Sequence, residues 1–166
     1  MKIIGFCKIE DDVKMVLKGD SSLLVNKKPF FIPDWSNDIR MAPCVVLRVS
    51  KLGKNIAPRF ADRYFDAIAP GINIQAADWV EKGDWVQGWA FDYSLPIGGF
   101  IPAEQWKEEE IIISYAEAIS RASKIMTIRQ GDLIFIDRDV IARNLEREEV
   151  ITYEIDNNEL LYCKVK

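Results

Sequence analysis

Lys28-Pro29-Phe30-Phe31-Ile32-Pro33-Asp34-Trp35-Ser36-Asn37-Asp38-Ile39, followed by Val45-Val46-Leu47-Arg48-Val49-Ser50-Lys51-Leu52-Gly53-Lys54-Asn55-Ile56, decides how this chain of 166 residues is read. Each half holds a short run of β-branched or aromatic residues, and each run is closed by proline, aspartate, asparagine or glycine, as strands and their turns are. The same pattern recurs outward at Ile3-Ile4-Gly5-Phe6, Ser22-Leu23-Leu24-Val25, Ile72-Asn73-Ile74, Trp85–Phe91 and Leu133-Ile134-Phe135-Ile136. Val150–Ile155 and Leu160–Val165 flank Asp156-Asn157-Asn158-Glu159. They read as a hairpin, because asparagine tolerates the positive φ of a tight turn. The fold class is mainly β with a few helices (α+β).

Two segments carry helical periodicity instead. Pro58–Ile68 opens on proline, as a first helical turn allows, and spaces Phe60, Tyr64 and Ile68 four apart. Glu108–Met126 begins with three glutamates, favourable at the positive end of a helix dipole, and puts Ile112, Tyr115, Ile119 and Ala122 on one stripe. Gln130-Gly131-Asp132 then turns the chain into the Leu133 strand. Residues 137–149 mix acids and bases and read as a solvated helix or a loop.

Composition excludes several classes of function. The chain has no histidine, so imidazole serves neither as base, nucleophile nor metal ligand, and serine hydrolase triads of the usual kind fail. A net charge of −4 from interspersed acids and bases leaves no basic stripe for nucleic acid. No apolar run has the length of a membrane span, and Ile3–Cys7 is too short for a signal-peptide core. Three scattered cysteines, Cys7, Cys44 and Cys163, without a CxxC pair, argue against a disulfide framework and a zinc site and place the chain in a reducing cytoplasm. Cys7 and Cys163 read as small buried hydrophobes. With 49% hydrophobic residues, no linker and no repeat, residues 1–166 read as one domain. Phosphate-binding, nucleophile-elbow and calcium-loop motifs are absent.

The Lys28–Ile39 and Val45–Ile56 blocks, together with Arg63-Tyr64-Phe65-Asp66, Gly71-Ile72-Asn73, Phe91-Asp92 with Ser94, Ile97-Gly98 and Gln130–Phe135, resemble the fumarylacetoacetate hydrolase family over most of the chain. The likeness is to its short bacterial members, of the 2-hydroxyhepta-2,4-diene-1,7-dioate isomerase and acylpyruvate hydrolase kind. It implies a mixed β-sandwich or β-roll, C–C hydrolysis, decarboxylation or tautomerisation of 2-oxo or 2-hydroxy-dienoic acids, a homodimer, and a magnesium or manganese ion. In the family two glutamates of a Glu-x-Glu strand and an aspartate hold that ion. Residues two apart on a strand share a face, so the two carboxylates converge on one hard cation.

The departures from the family pattern fall on this chemistry. The resemblance places Ala42 and Cys44, around Pro43, where the glutamates belong, and Asn73 where the aspartate belongs. Arg40 stands at a common histidine position, Trp89 at a lysine, Ala77 at an arginine beside a retained Asp78, and Tyr93 at a glycine after Asp92. The lid after Cys7-Lys8 is reduced to Ile9–Lys18, and Ile136-Asp137-Arg138-Asp139 replaces the family's substrate loop.

The expectation is a catalytically degenerate member with no intact catalytic residue and no metal or other cofactor. Its remnant pocket would be formed by Arg40, Asp78, Trp89, Asp92 and Tyr93. Three roles compete. The first is an active hydrolase, isomerase or decarboxylase relocated onto Asp78 and Asp92, whose plainer reading is turn carboxylates. The second is a binder of a small acidic or aromatic ligand, using Arg40 as a carboxylate partner and Trp89 or Tyr93 for stacking; the plainer readings are a surface ion pair and core filling. The third is an interaction protein pairing with itself or with a paralogous subunit.

Overall fold

The structure is a computed structural model that describes residues 1–107 and 109–166. In chain order its strands and helices are β1 (Ile3–Ile9), β2 (Asp12–Lys18), β3 (Leu23–Leu24), β4 (Ile39–Val49), β5 (Phe65–Ala76), α1 (Ala77–Glu81), α2 (Trp85–Trp89), β6 (Leu95–Pro96), β7 (Ile101–Pro102), α3 (Tyr115–Ile125), β8 (Leu133–Asp137), β9 (Arg143–Asn144), β10 (Val150–Ile155) and β11 (Asn158–Lys164). The protein is mainly β.

One mixed sheet organises it, in the order β2-β1-β8-β4-β5-β7, with β9 pairing the start of β4 beyond the end of β8. Only β1 and β8 run parallel; the other neighbours in this sheet are antiparallel. β4 and β5 form its spine, paired from Ile39↔Ala76 to Val49↔Phe65. Both are buried almost throughout, which requires cover on both faces.

Alternation divides the residues between the two faces. One face carries Ile4, Phe6, Val45, Leu47, Ile68, Ile134 and Ile136 against Ala118, Ile119 and Ala122 of α3. Further along the same face, Met41, Ile72 and Ile74 pack under Leu161 and Cys163 of the β10–β11 hairpin. The opposite face carries Ile3, Cys7, Cys44, Val46, Ala69, Leu133 and Phe135 and is closed by Trp89 and Leu95. The Phe135 ring lies directly over Gly5, where a Cβ would come within 2.0 Å of it, so the close approach requires glycine.

Several local expectations give way to tertiary pairing. The helix expected over Pro58–Ile68 is a 3₁₀ turn at Pro58–Arg63, and Phe65 onward joins β5. A full ladder against β4 outweighs another helical turn, while Phe60 and Tyr64 still pack on the core. Trp85–Phe91, expected as a strand, is the helix α2 and its exit, because the Asp84 side chain accepts from the Gln87 amide at 2.9 Å and caps it. The helix expected from Glu108 begins only at Tyr115, where Ser114 caps it by accepting from the Glu117 amide at 3.1 Å. Glu108 itself lies outside the described residues. Ile9–Lys18, the short connection that stands in place of the family's lid, is the end of β1, a tight turn and the second strand of a hairpin, with Glu10 and Asp11 both at positive φ. Phe30 makes a single bridge to Val165 rather than belonging to a strand. Residues 137–149 contain β9 and the buried Leu145, tied by an Arg143–Glu149 ion pair at 2.9 Å, so they are extended and not helical. The C-terminal hairpin turns at Asp156 and Asn157, both at positive φ. No described helix is long and apolar enough to cross a membrane.

Candidate functional site

Ala42 and Cys44 are two apart on β4 and share a face; Ala42 pairs with Asn73 of β5, and Cys44 with Gly71. The three positions singled out by the family pattern thus meet, on the face closed by Trp89. Asp137, the last residue of β8, pairs with Cys44 on one side and lies one step beyond the Phe6–Ile136 pair on the other, level with Cys7. Cys7, Asp137 and Cys44 form one row, and Asn73 stands beside it.

Hydrogen bonds bind this row into a cluster. The Asn73 side-chain NH₂ donates to Asp137 Oδ1 and Oδ2 at 3.0 and 3.1 Å and to Cys7 Sγ at 3.3 Å. Asn73 Oδ1 has no partner. Burial pushes the Asp137 carboxyl up to about 8, against the lowering effects of the Asn73 hydrogen bond and the more distant Lys18 charge. Burial and Asp137 together push the Cys7 and Cys44 thiols well above their ordinary value. Both are protonated at neutral pH and poor nucleophiles.

Lys18 completes the cluster from the edge strand β2, where pairing with Ile3 points it inward. It is 1% exposed, and burial lowers its ammonium to about 7. Its Nζ donates towards Trp89 O at 2.6 Å, Ser94 Oγ at 2.8 Å, Ile74 O at 3.1 Å and Ser94 O at 3.2 Å. Sequence reasoning missed both Lys18 and Asp137. The available signal was a charged residue at each end of a strongly apolar pattern, Met15-Val16-Leu17-Lys18 and Leu133-Ile134-Phe135-Ile136-Asp137.

The expected remnant pocket is dispersed. Arg40 Nε and a terminal guanidinium nitrogen donate to the two oxygens of Asp38, at 2.9 and 2.5 Å. Asp78 is engaged by the Ser36 hydroxyl at 2.6 Å and by the Asn37 and Trp79 amides, both at 3.1 Å. Burial raises its carboxyl, but these donors outweigh burial and hold it below the usual range. Asp92 and Tyr93 are exposed, Tyr93 at positive φ. Trp89 is 2% exposed and its indole N–H is unpartnered. It belongs to the same buried cluster as Cys44. A surface cleft of about 470 Å³ lies elsewhere, between residues 25–27, 97–100, 159–160 and Tyr162.

No family model and no curated protein matches the sequence. Solved structures do match it. Fumarylpyruvate hydrolase from Pseudomonas aeruginosa, in complex with Mn2+ and pyruvate, superposes with a TM-score of 0.82 at 21% identity, covering 99% of this chain and 88% of its own. A Yersinia pestis protein assigned to the fumarylacetoacetate hydrolase family gives 0.83 at 16% identity, with 99% and 92% covered. The 2-hydroxyhepta-2,4-diene-1,7-dioate isomerase of Mycobacterium marinum gives 0.83 at 16%, with 99% and 73% covered. The fold is that of the fumarylacetoacetate hydrolase family.

The donors that this fumarylacetoacetate hydrolase fold presents at the three family positions do not fit a hard divalent cation. Ala42 has no donor atom, Cys44 presents a protonated thiol, and Asn73 offers one neutral oxygen. Magnesium requires near-octahedral oxygen coordination, and its protein ligands are chiefly carboxylates. Among the described residues no three His, Cys, Asp or Glu side chains are grouped to hold a metal.

Proposed function

We propose that this chain is a fumarylacetoacetate hydrolase-fold protein that has lost the family's metal-dependent chemistry and acts by binding rather than by turnover. The observation that carries the reading is the meeting of Ala42, Cys44 and Asn73 on one buried face beneath Trp89. The resemblance puts three carboxylates at those positions. Here they are a methyl group, a thiol and an amide, and the buried Trp89 packs in the same cluster as Cys44. The carboxylates that a relocated site would use give it no support: Asp78, at the start of α1, is engaged by the Ser36 hydroxyl and the Asn37 and Trp79 amides, and Asp92 is exposed.

Metal analysis of the purified chain and thermal unfolding titrated with magnesium or manganese test this reading. The expected result is no stoichiometric metal and no stabilisation by either ion beyond that of an indifferent salt at equal ionic strength. A tightly held stoichiometric magnesium or manganese ion overturns it. A rise of the unfolding midpoint specific to magnesium or manganese and growing with the logarithm of its concentration overturns it equally, because a ligand that binds only the native state stabilises by RT ln(1 + [L]/Kd).

A further inference from the structure

The buried Lys18 ammonium has no carboxylate within ion-pair distance among the described residues. Four oxygens surround it instead. Three are main-chain carbonyls, from Ile74 of β5, from Trp89 at the end of α2, and from Ser94; the fourth is the Ser94 hydroxyl. The Trp89 carbonyl belongs to the last turn of a helix, where carbonyls lack helical partners and attract cations. The rings of Trp89, Phe91 and Phe135 have their centroids 5.8, 5.9 and 5.8 Å from Nζ, within the range at which ring faces attract a cation. An ammonium has three protons to offer, so four acceptors saturate it.

We propose that this shell is a monovalent-cation site occupied by a tethered cation, the Lys18 ammonium, and that it takes free ammonium or potassium when the lysine side chain is removed. The distances, 2.6–3.2 Å, are longer than the roughly 2.0–2.1 Å of magnesium and 2.3–2.6 Å of calcium. The ligands are neutral carbonyl and hydroxyl oxygens, of the kind that replace the hydration shell of potassium in selectivity filters. No anionic oxygen lies in the shell to favour a dehydrated divalent ion. The tether also gives the shell a structural consequence: one side chain from β2 holds the Trp89–Ser94 segment against β5. This inference stands on the Lys18 contacts and is independent of the loss of the divalent site.

The test compares the intact chain, Lys18→Ala and Lys18→Met at pH 6 in ammonium, potassium, sodium and choline chlorides of equal ionic strength. Thermal unfolding of Lys18→Ala is expected to shift upward in ammonium or potassium relative to choline. The shift should grow with the logarithm of the ion's concentration, reaching about 3 °C or more at ten times the dissociation constant. Lys18→Met keeps an uncharged stem in the shell and, like the intact chain, is expected to respond alike to all four salts. Equal responses of Lys18→Ala to all four overturn the proposal, as does the same selectivity in Lys18→Met. Where Lys18→Ala folds in none of them, nitrogen-detected NMR of the intact chain decides. A slowly exchanging three-proton Lys18 ammonium supports the site, and exchange as fast as that of exposed lysines overturns it.

Discussion

On the face of the sheet beneath α3, alternate residues of β1, β8, β4 and β5 supply Ile4, Phe6, Ile134, Ile136, Val45, Leu47 and Ile68. On the other face the intervening residues of the same strands supply Gly5, Cys7, Asp137, Cys44, Gly71 and Asn73. Both faces are buried. The first is the dry, branched-chain packing that stabilises a sheet. The second needs glycines to admit the Phe135 ring over Gly5 and the Cys44 sulfur beside Gly71, and it carries a carboxyl, an amide, two thiols and an ammonium without access to water. Burying polar groups in this way costs stability unless each is hydrogen-bonded, and the Asn73 oxygen and Trp89 indole N–H are not. One face is therefore built for packing, and the other carries a buried polar cluster.

The largest break in that comparison is Trp89→Ala. Deleting the indole is expected to cost about 3–5 kcal/mol, as other large-to-small core changes do, measured by urea unfolding. A matched change on the dry face, Ile119→Ala, falls in the same general range of about 2–5 kcal/mol. The difference between them should appear in thiol chemistry. Trp89→Ala is expected to expose Cys44 to a thiol reagent in the native state, and Ile119→Ala to leave it protected. Equal protection in both variants would mean that Trp89 does not cover the site.

These two faces were unequally legible in the sequence. Val45–Val49 and Leu133–Ile136 announced their strands, because continuous β-branched runs bounded by turn residues have few other readings. The dry face follows from them by alternation. Ile68 and Trp85 misled because local spacing was outweighed, at Ile68 by the β4–β5 ladder and at Trp85 by the Asp84 cap. The site was half legible: the family pattern drew attention to Ala42, Cys44 and Asn73, which do meet. Lys18 and Asp137 escaped because their partners are 56 to 76 and 64 positions away in the chain. No spacing rule joins residues that only the sheet order brings together. Arg40, Asp78, Asp92 and Tyr93 were chosen for chemistry, and the structure commits them to a local ion pair, to bonds between the start of α1 and the Ser36–Asn37 segment, or to solvent.

A pH titration of stability sharpens the contrast, because the second face holds Asp137 and Lys18, the buried carboxyl and ammonium that burial shifts furthest toward neutral pH. Burial raises Asp137 from 3.8 to about 8, so between those values the native state holds a proton that the unfolded chain has lost, and stability falls as pH rises. Burial lowers Lys18 from 10.5 to about 7, so between those values the unfolded chain holds the extra proton, and stability rises with pH. The two effects oppose each other between about 7 and 8, and the contribution of this pair is lowest there. Each limb has a slope of at most about 1.4 kcal/mol per pH unit. Asp137→Asn is expected to remove the descending limb on the acid side and keep the ascending one, as read by urea unfolding from pH 5 to 9, below the range in which the raised thiols titrate in the unfolded chain. A descending limb unchanged in that variant would assign it to other carboxyls.

The smallest expected effect tests whether the buried cluster is continuous with the charges at the sheet's margins. Arg40, Ala42, Cys44, Val46 and Arg48 alternate along β4, so the polar face ends in an arginine on either side. Each arginine pairs with a carboxylate through two nitrogens, Arg40 with Asp38 and Arg48 with Asp66. The arginine side chains are 39% and 45% exposed, so solvent screens both pairs. Exposed pairs of this kind contribute about 0–1 kcal/mol, and Arg40→Ala and Arg48→Ala are each expected to stay within that range in urea unfolding. A cost for Arg40→Ala well beyond that of Arg48→Ala would tie Arg40 to the interior cluster. Equal, small costs would separate the cluster, whose members lack solvent screening, from the ion pairs at either end of the strand. The chemistry of the second face would then reside in its buried row and not in the arginine that looked most like a ligand anchor.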